Sequence, residues 1–403
     1  MVKLQDILDV DLLQKHLVAG VVRRQIHPLY PELSIFNYTE VAQFDRIWDN
    51  VTRQCRGLII ANGIVVARGF NKFFNLNTEF VPETLEANLP DEEPLSLEKL
   101  DGSLGILYRW DGQLWIATRG SFDSEQARWA TKWLRDHDAH ISYQTPYADP
   151  DNYDRVSPNF EIIYAGNRIV VDYDYEDCVL LGLIANHSGL ELDRVDVKEF
   201  ADFNDFTLVQ RHHKSLAECA GENTPNAEGY VLTYLSTGLK VKVKFEEYVR
   251  LHRILTGLNP RAIWEMLVPR SMLVQQPKEK VNLEDITIAE ARAATVDSIL
   301  NDPKMPAAFL EWFSGWVNQL RKKYADIEAR AKDAFFSRRF KGPWATPPSP
   351  EAIRLVRKAH AEDFMATPEL KSILFAMLDE KSYEEIIWKI VKPRGDAPFK
   401  KEG

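Results

Sequence analysis

The period of the hydrophobic pattern changes along this 403-residue chain near Asn259-Pro260, and that change limits the fold more than any single motif. Upstream, strand-like patterns dominate, with apolar and polar residues alternating; downstream, apolar residues recur at the spacing of a helix face. The sharpest alternation is GLKVKVKF, Gly238 to Phe245, which puts Lys240, Lys242 and Lys244 on one face and Leu239, Val241, Val243 and Phe245 on the other. Downstream, residues 286–300, 307–336 and 351–364 read as helices, with Gly342-Pro343-Trp344 and the Pro-rich run 346–350 as breakers. The expectation is an α+β chain: an antiparallel-rich domain over residues 1–258 and an all-helical one over 259–403.

Within the first part, residues 4–22 read as one amphipathic helix and 34–38 as a strand. Arg56-Gly57 enters a buried strand, 64–68 follows, and Asp111-Gly112 between two alternating runs signals a hairpin. A helix is expected from Ser124 to about His137, with Ser121 as a cap candidate and Trp129 and Trp133 turned to the core. Residues 159–163, 165–171, 179–184 and 228–232 read as further strands.

The chemistry concentrates in Lys99-Leu100-Asp101-Gly102-Ser103. A lysine leaves a strand-like approach, an acid follows, and Gly-Ser permits a tight turn before the next apolar run. This can present an amine to a phosphate, and it can equally be a hairpin with an exposed lysine. Arg56 reads as a solvated strand end or a bidentate phosphate clamp. Lys72, fenced by aromatics and asparagines, reads as a stem lying over an aromatic cluster. Glu161 interrupts an apolar strand, either on a solvated face or holding something. The lysine row is spaced for a triphosphate, and it also suits an edge strand guarded against aggregation.

A net charge of −10 argues against nucleic acid wrapping over the whole surface, so a polyanion site has to be local. Cys55, Cys178 and Cys219 are far apart, fitting a reducing compartment; with no cleavable signal pattern and no membrane-length apolar run, the expected location is the cytoplasm.

Taken in order, Lys99-x-Asp101-Gly102, Phe160-Glu161, Glu228-Gly229 and Lys242-x-Lys244 resemble the motifs of covalent nucleotidyltransferases. The blocks SIFNY, CRGLII, NKFFNLN, KLDGS, RGSFDSEQA, NFEIIYAGNRIVVDY, EGYV and VKFEEYVRLH are similar to the RNA ligase 1 family of T-even bacteriophages over residues 34–252. The resemblance implies a nucleotidyltransferase domain with ATP in a cleft between sheets and Lys99 as the adenylated nucleophile. It implies Arg56, Lys72, Lys242 and Lys244 on the phosphates, and Glu161 and Glu228 on the ribose or a metal. Asp101 is implied in the catalytic set, and Tyr38, Glu98, Gly102, Arg119, Val231 and Tyr248 near the nucleotide. Arg119 stands where the family has lysine, which puts its role in question. The implied partners are ATP, Mg2+ or Mn2+ on unassigned ligands, and RNA with 5′-phosphate and 3′-hydroxyl ends, with broken tRNA as a candidate substrate of the helical region. Attack by Lys99 requires a neutral amine, so a lowered lysine pKa is expected there.

Overall fold

The computed structural model describes residues 2–137, 156–272, 295–337, 349, 351, 354, 358, 364–365 and 367–394. The chain divides into two compact units, residues 1–252 and 253–403, the division falling inside the helix Glu246–Gly257.

The first unit is built on strands β1 Val22–Ile26, β2 Leu33–Tyr38, β3 Arg56–Ala61, β4 Ile64–Ala67, β5 Phe74–Asn75, β6 Leu95–Lys99 and β7 Ser103–Trp110. These are followed by β8 Gln113–Thr118, β9 Val156–Ile163, β10 Asp177–Ala185, β11 Arg211–His212, β12 Gly229–Tyr234 and β13 Leu239–Lys244. They form three sheets, ordered β1-β2-β3-β4, β10-β9-β7-β8 and β11-β6-β12-β13-β5. Pairing is antiparallel apart from the short β13–β5 contact. The hairpin β7–β8 closes on Asp111 and Gly112, both at positive φ, which is the geometry a two-residue turn needs.

Burial follows the alternation. Leu107, Ile116, Phe160, Ile162 and Leu180 pack against the helices Glu125–Asp136 and Arg194–Asn204. Trp129 and Trp133 flank this core, Trp129 lying flat on Tyr164 at 4.6 Å between ring centres. The first sheet packs the helix Val10–Val18 on one face and β7 on the other. Arg68, just beyond β4, is buried with no ion pair among the described residues. Its guanidinium donates to Gln54 Oε1 at 2.6 Å and Asn186 O at 3.0 Å, its N–H donates to Ser157 Oγ, and its carbonyl accepts from Asn159.

Three local expectations are corrected. Residues 4–22 form two helices, Leu4–Ile7 and Val10–Val18, because Asp9 caps the second and left-handed Gly20 ends it; Val22 then opens β1. Residues 165–171 are not a strand: a turn of 3-10 helix covers Ala165–Asn167, and the N–H groups of Val170 and Val171 donate to the Asp101 carboxylate rather than to a ladder. The cap of the helix Glu125–Asp136 is Ser124, whose Oγ accepts from Ala127 N–H, while Ser121 Oγ accepts from Asp123 N–H.

The second unit is helical over its described residues: Pro260–Leu267, Val296–Leu300, Ala307–Ser337, Lys371–Leu378 and Glu384–Ile390. Asn259 caps the first, with Pro260 at its opening position. Phe309, Phe313, Val317 and Leu320 bury one stripe of the long helix, and Trp264 Nε1 donates to Trp388 O at 2.8 Å. Most of the expected helices 286–300 and 351–364, and the breakers at 342–350 apart from Ser349, lie outside the described residues.

Candidate active site

Strand register gathers the acids and lysines. Gly229 of β12 pairs with Lys99 of β6 on one side and with Lys244 of β13 on the other. Glu228, one residue earlier and buried, therefore stands between two ammonium groups: its Oε2 accepts from Lys99 Nζ at 2.7 Å and its Oε1 lies 2.8 Å from Lys244 Nζ. The glycine after it is compulsory. At φ +142°, a Cβ on Gly229 would come within 2.0 Å of Val243 O.

This pairing reverses one expectation. Burial depresses the Lys99 ammonium, but the charges of Glu228, Glu161 and Asp101 outweigh it and hold the group above the usual lysine range. In this state the amine is a cation locked to a carboxylate, not a poised nucleophile. Burial likewise pushes Glu228 up, and Lys99 and Lys244 more than reverse it, leaving its carboxyl below the ordinary value.

The turn after Lys99 is fixed by the next acid. Gly102 N–H donates to Glu161 Oε1 at 2.9 Å, and a Cβ at Gly102 would stand 2.5 Å from Ile162 O. Burial, with Glu228 and Asp101 adding to it against the pull of Lys99 and Arg56, raises the Glu161 carboxyl to about 7. Asp101 has no free side: Oδ2 accepts from Val170 and Val171 N–H at 2.8 and 2.9 Å, and Oδ1 from the Tyr248 hydroxyl at 2.7 Å. Both Asp101 and Tyr248 are buried, so they brace the turn and do not open to a ligand.

Facing the acids is a set of cations. Among the described residues, Arg56, Lys72, Arg119 and Lys242 make no ion pair. Lys72 Nζ lies 4.7, 5.2 and 5.7 Å from the ring centres of Phe74, Trp48 and Tyr38, so the expected aromatic seat is present. Burial first, then Arg56, Arg119 and Lys244, bring Lys72 down to about 8. Lys242, 4.6 Å from the Phe73 ring centre, is pushed well below the lysine range by burial and by its cationic neighbours. Arg56 donates to Phe70 O at 3.3 Å, and Arg119 donates to the Tyr38 hydroxyl at 3.2 Å. Unpaired, partly desolvated cations packed together are costly unless an anion joins them, and their number and spacing suit a polyphosphate.

Residues 54–249 match the family model described as RNA ligase. This stretch of the chain is similar to RNA ligases. An RNA ligase of Rhodothermus phage RM378 is 24% identical over 307 residues, covering 60% of this chain and 68% of its own. A Thermovibrio ammonificans protein provisionally named an RNA ligase is 27% identical over 215 residues, covering 51% of this chain; the chain spans about half, 55%, of that relative. The solved archaeal ATP-dependent RNA ligase has a TM-score of 0.45 at 11% identity, covering 80% of each chain.

In the first unit, the cleft between the sheets is lined by Arg56, Glu98, Lys99, Glu161, Val231 and Lys242, with Leu97 and Leu104 as apolar walls. The structure thus brings these expected residues together, with Lys244 and Glu228 adjoining. Lys72 lies on a neighbouring cavity of about 560 Å³, and Tyr38 with Arg119 lies at the cleft's basic side. The two cavities share Phe70, Phe73, Glu191 and Lys240, and Lys240 ion-pairs with Glu191. Sequence reasoning missed Glu191, which lies in the loop after β10 with no periodicity to mark it, and it treated Lys240 as one of three equivalent lysines. Lys240 instead pairs with Glu191, which also lies 3.8 Å from Arg194. The strand is also no free edge, since β13 lies between β12 and β5. No group of three His, Cys, Asp or Glu side chains among the described residues is arranged to hold a metal by itself. No described helix is long and apolar enough to cross a membrane.

Proposed function

We propose that the chain is an ATP-dependent RNA ligase that joins 5′-phosphate and 3′-hydroxyl RNA ends through an adenylate on Lys99. The observation that carries this reading is the pairing of Lys99 with Glu228 opposite unpaired Arg56, Lys72 and Lys242. That arrangement holds one amine beside an acid and leaves cations for three phosphates. Lys242 and Lys244 offset charge at the α-phosphate, while Arg56 and Lys72 hold the departing pyrophosphate in line. Lys99 Nζ, once its proton is lost, forms the bond to the α-phosphorus as the bond to pyrophosphate breaks.

Triphosphate charge alone would hold the proton on Lys99 more tightly, so additional positive charge is needed. A bound Mg2+ or Mn2+ would supply it and favour loss of the amine's proton. Glu161, a hard oxygen donor whose carboxyl burial raises to about 7, is the residue that would hold such a cation. The RNA 5′-phosphate then takes the adenylyl group: an oxygen–phosphorus bond forms, the phosphorus–nitrogen bond to Lys99 breaks, and the amine takes up a proton. A 3′-hydroxyl displaces AMP in the sealing step.

Residues 1–258 carry this chemistry on our reading, and 259–403 contribute RNA contacts. Broken tRNA in the cytoplasm is the substrate the family resemblance favours. Incubation with α-labelled ATP and Mg2+, a denaturing gel and peptide mapping test the proposal. A labelled peptide containing Lys99 is expected; an unlabelled protein, or label on another lysine, overturns it.

A further inference from the structure

The first sheet carries a basic row that the nucleotide chemistry does not use up. Register pairs Arg23 of β1 with Asn37 of β2, and Asn37 with Arg56 of β3. Arg23 and Asn37, directly opposed, share a face at the sheet's open edge; the second pairing falls at a β-bulge, and Arg119, whose charge acts on Arg56, carries the row on to the cleft that Arg56 lines. The turn Arg119-Gly120 lies over this row. A Cβ on Gly120 would stand 2.6 Å from the Arg23 guanidinium and 3.3 Å from the Asn37 amide. Arg23 and Arg119 are both exposed, and among the described residues neither makes an ion pair. In a chain of net charge −10, three neighbouring arginines that form no ion pair among the described residues run against the general balance of charge.

In-line substitution says what should lie along them. Entering and leaving groups occupy opposite apices of the reacting phosphorus. Lys99 is one apex when the adenylate forms and again when it is transferred, so the RNA 5′-phosphate has to enter where pyrophosphate left. On the reading above, that place is beside Arg56 and Lys72. From Arg56 the row runs outward two strand spacings, about 10 Å, to Arg23. Asn37 Oδ1, buried with no donor, sits midway along it.

We propose that Arg23, with the Arg119-Gly120 turn, binds the backbone phosphates of the 5′-phosphorylated RNA strand adjacent to its terminal phosphate. This rests on the ligase reading for the strand's identity. Arg23 is then a strand-binding residue that takes no part in adenylation.

The test uses the full chain with Arg23→Glu, Arg23→Ala and Arg23→Lys. Binding of a fluorescent 5′-phosphorylated single-stranded RNA is followed across a salt series. Arg23→Glu is expected to weaken binding about tenfold at low salt, and Arg23→Ala to lower the slope of log affinity against log salt by about 0.7 for one lost phosphate contact; Arg23→Lys should restore most of both. In parallel, labelling of Lys99 by ATP should stay within about twofold in Arg23→Glu, while sealing of a pre-adenylated strand slows about as much as binding weakens. Unchanged binding with an unchanged salt slope overturns the proposal. So does labelling that falls in step with sealing, because the row would then serve the nucleotide or the fold. If wild-type protein is never labelled, the ligase reading fails instead, and the binding series still decides whether Arg23 holds an RNA strand.

Discussion

Lys99 is held as a cation by Glu228, and Lys72 is brought down to about 8 by burial and then by its cationic neighbours, so the two lysines answer different experiments. Replacing Lys99 by alanine should abolish labelling by ATP while leaving measurable sealing of RNA that already carries a 5′-adenylate, scored on a denaturing gel. Persistence of label would remove Lys99 from the chemistry. For Lys72 the sign runs the other way. Its folded pKa of about 8 lies below the ordinary lysine value, so above pH 8 the folded protein binds fewer protons than the unfolded chain, and stability rises with pH until the unfolded lysine also titrates. A triphosphate beside it restores the ammonium. ATP binding at about pH 8.5 should therefore take up roughly half a proton or more, read by calorimetry in buffers of different ionisation enthalpy. Lys72→Arg should bind ATP with a smaller uptake.

At the scale of the element, β12 and β13 hold Glu228, Lys242 and Lys244 in place, and Gly229 lets them approach. Gly229→Ala, with its Cβ against a carbonyl, should lower stability to urea by about 3 kcal/mol. Gly112→Ala, at positive φ but with open space around it, should lose only about 1 kcal/mol. Lys242→Met should separate stability from function: removing a half-buried amine that makes no ion pair among the described residues, and whose charged form burial and its cationic neighbours disfavour, raises the urea midpoint, while labelling falls by about a hundredfold. A variant both less stable and fully active would return Lys242 to a structural role. How far these elements could be read from the chain depends on where their partners lie. The β13 alternation and the Asp111-Gly112 turn were legible because period and turn chemistry are local. The false strand at 165–171 was not, because what organises it is the carboxylate of Asp101, some seventy residues upstream. The site is legible in the same uneven way. Motif spacing marks Lys99, Glu228 and Lys244, but their ion pairs, and with them the raised Lys99 pKa, exist only once three strands align.

At the scale of the whole molecule, the described helix Ala307–Ser337 presents exposed Arg321, Lys322 and Lys323, while Arg330 and Lys332 are engaged by Glu369 and Glu328. Arg338, Arg339, Phe340, Lys341 and Trp344, which the sequence adds to this basic and aromatic group, lie outside the described residues. Changing Arg321, Lys322 and Lys323 together to alanine should leave labelling by ATP intact and reduce the salt slope of RNA binding by up to about 2. An unchanged slope would make this face a solvated surface only. Arg68 bears on how the first unit comes together. Its partners Gln54 and Asn186 reach it from opposite directions along the chain, the second across 118 residues. No short loop closure can collect them, so the guanidinium stays hydrated until the sheets carrying β4 and β10 have docked. That makes its dehydration a late event in refolding, and the competence to hold a nucleotide should return with the slowest phase rather than with the first burst of secondary structure.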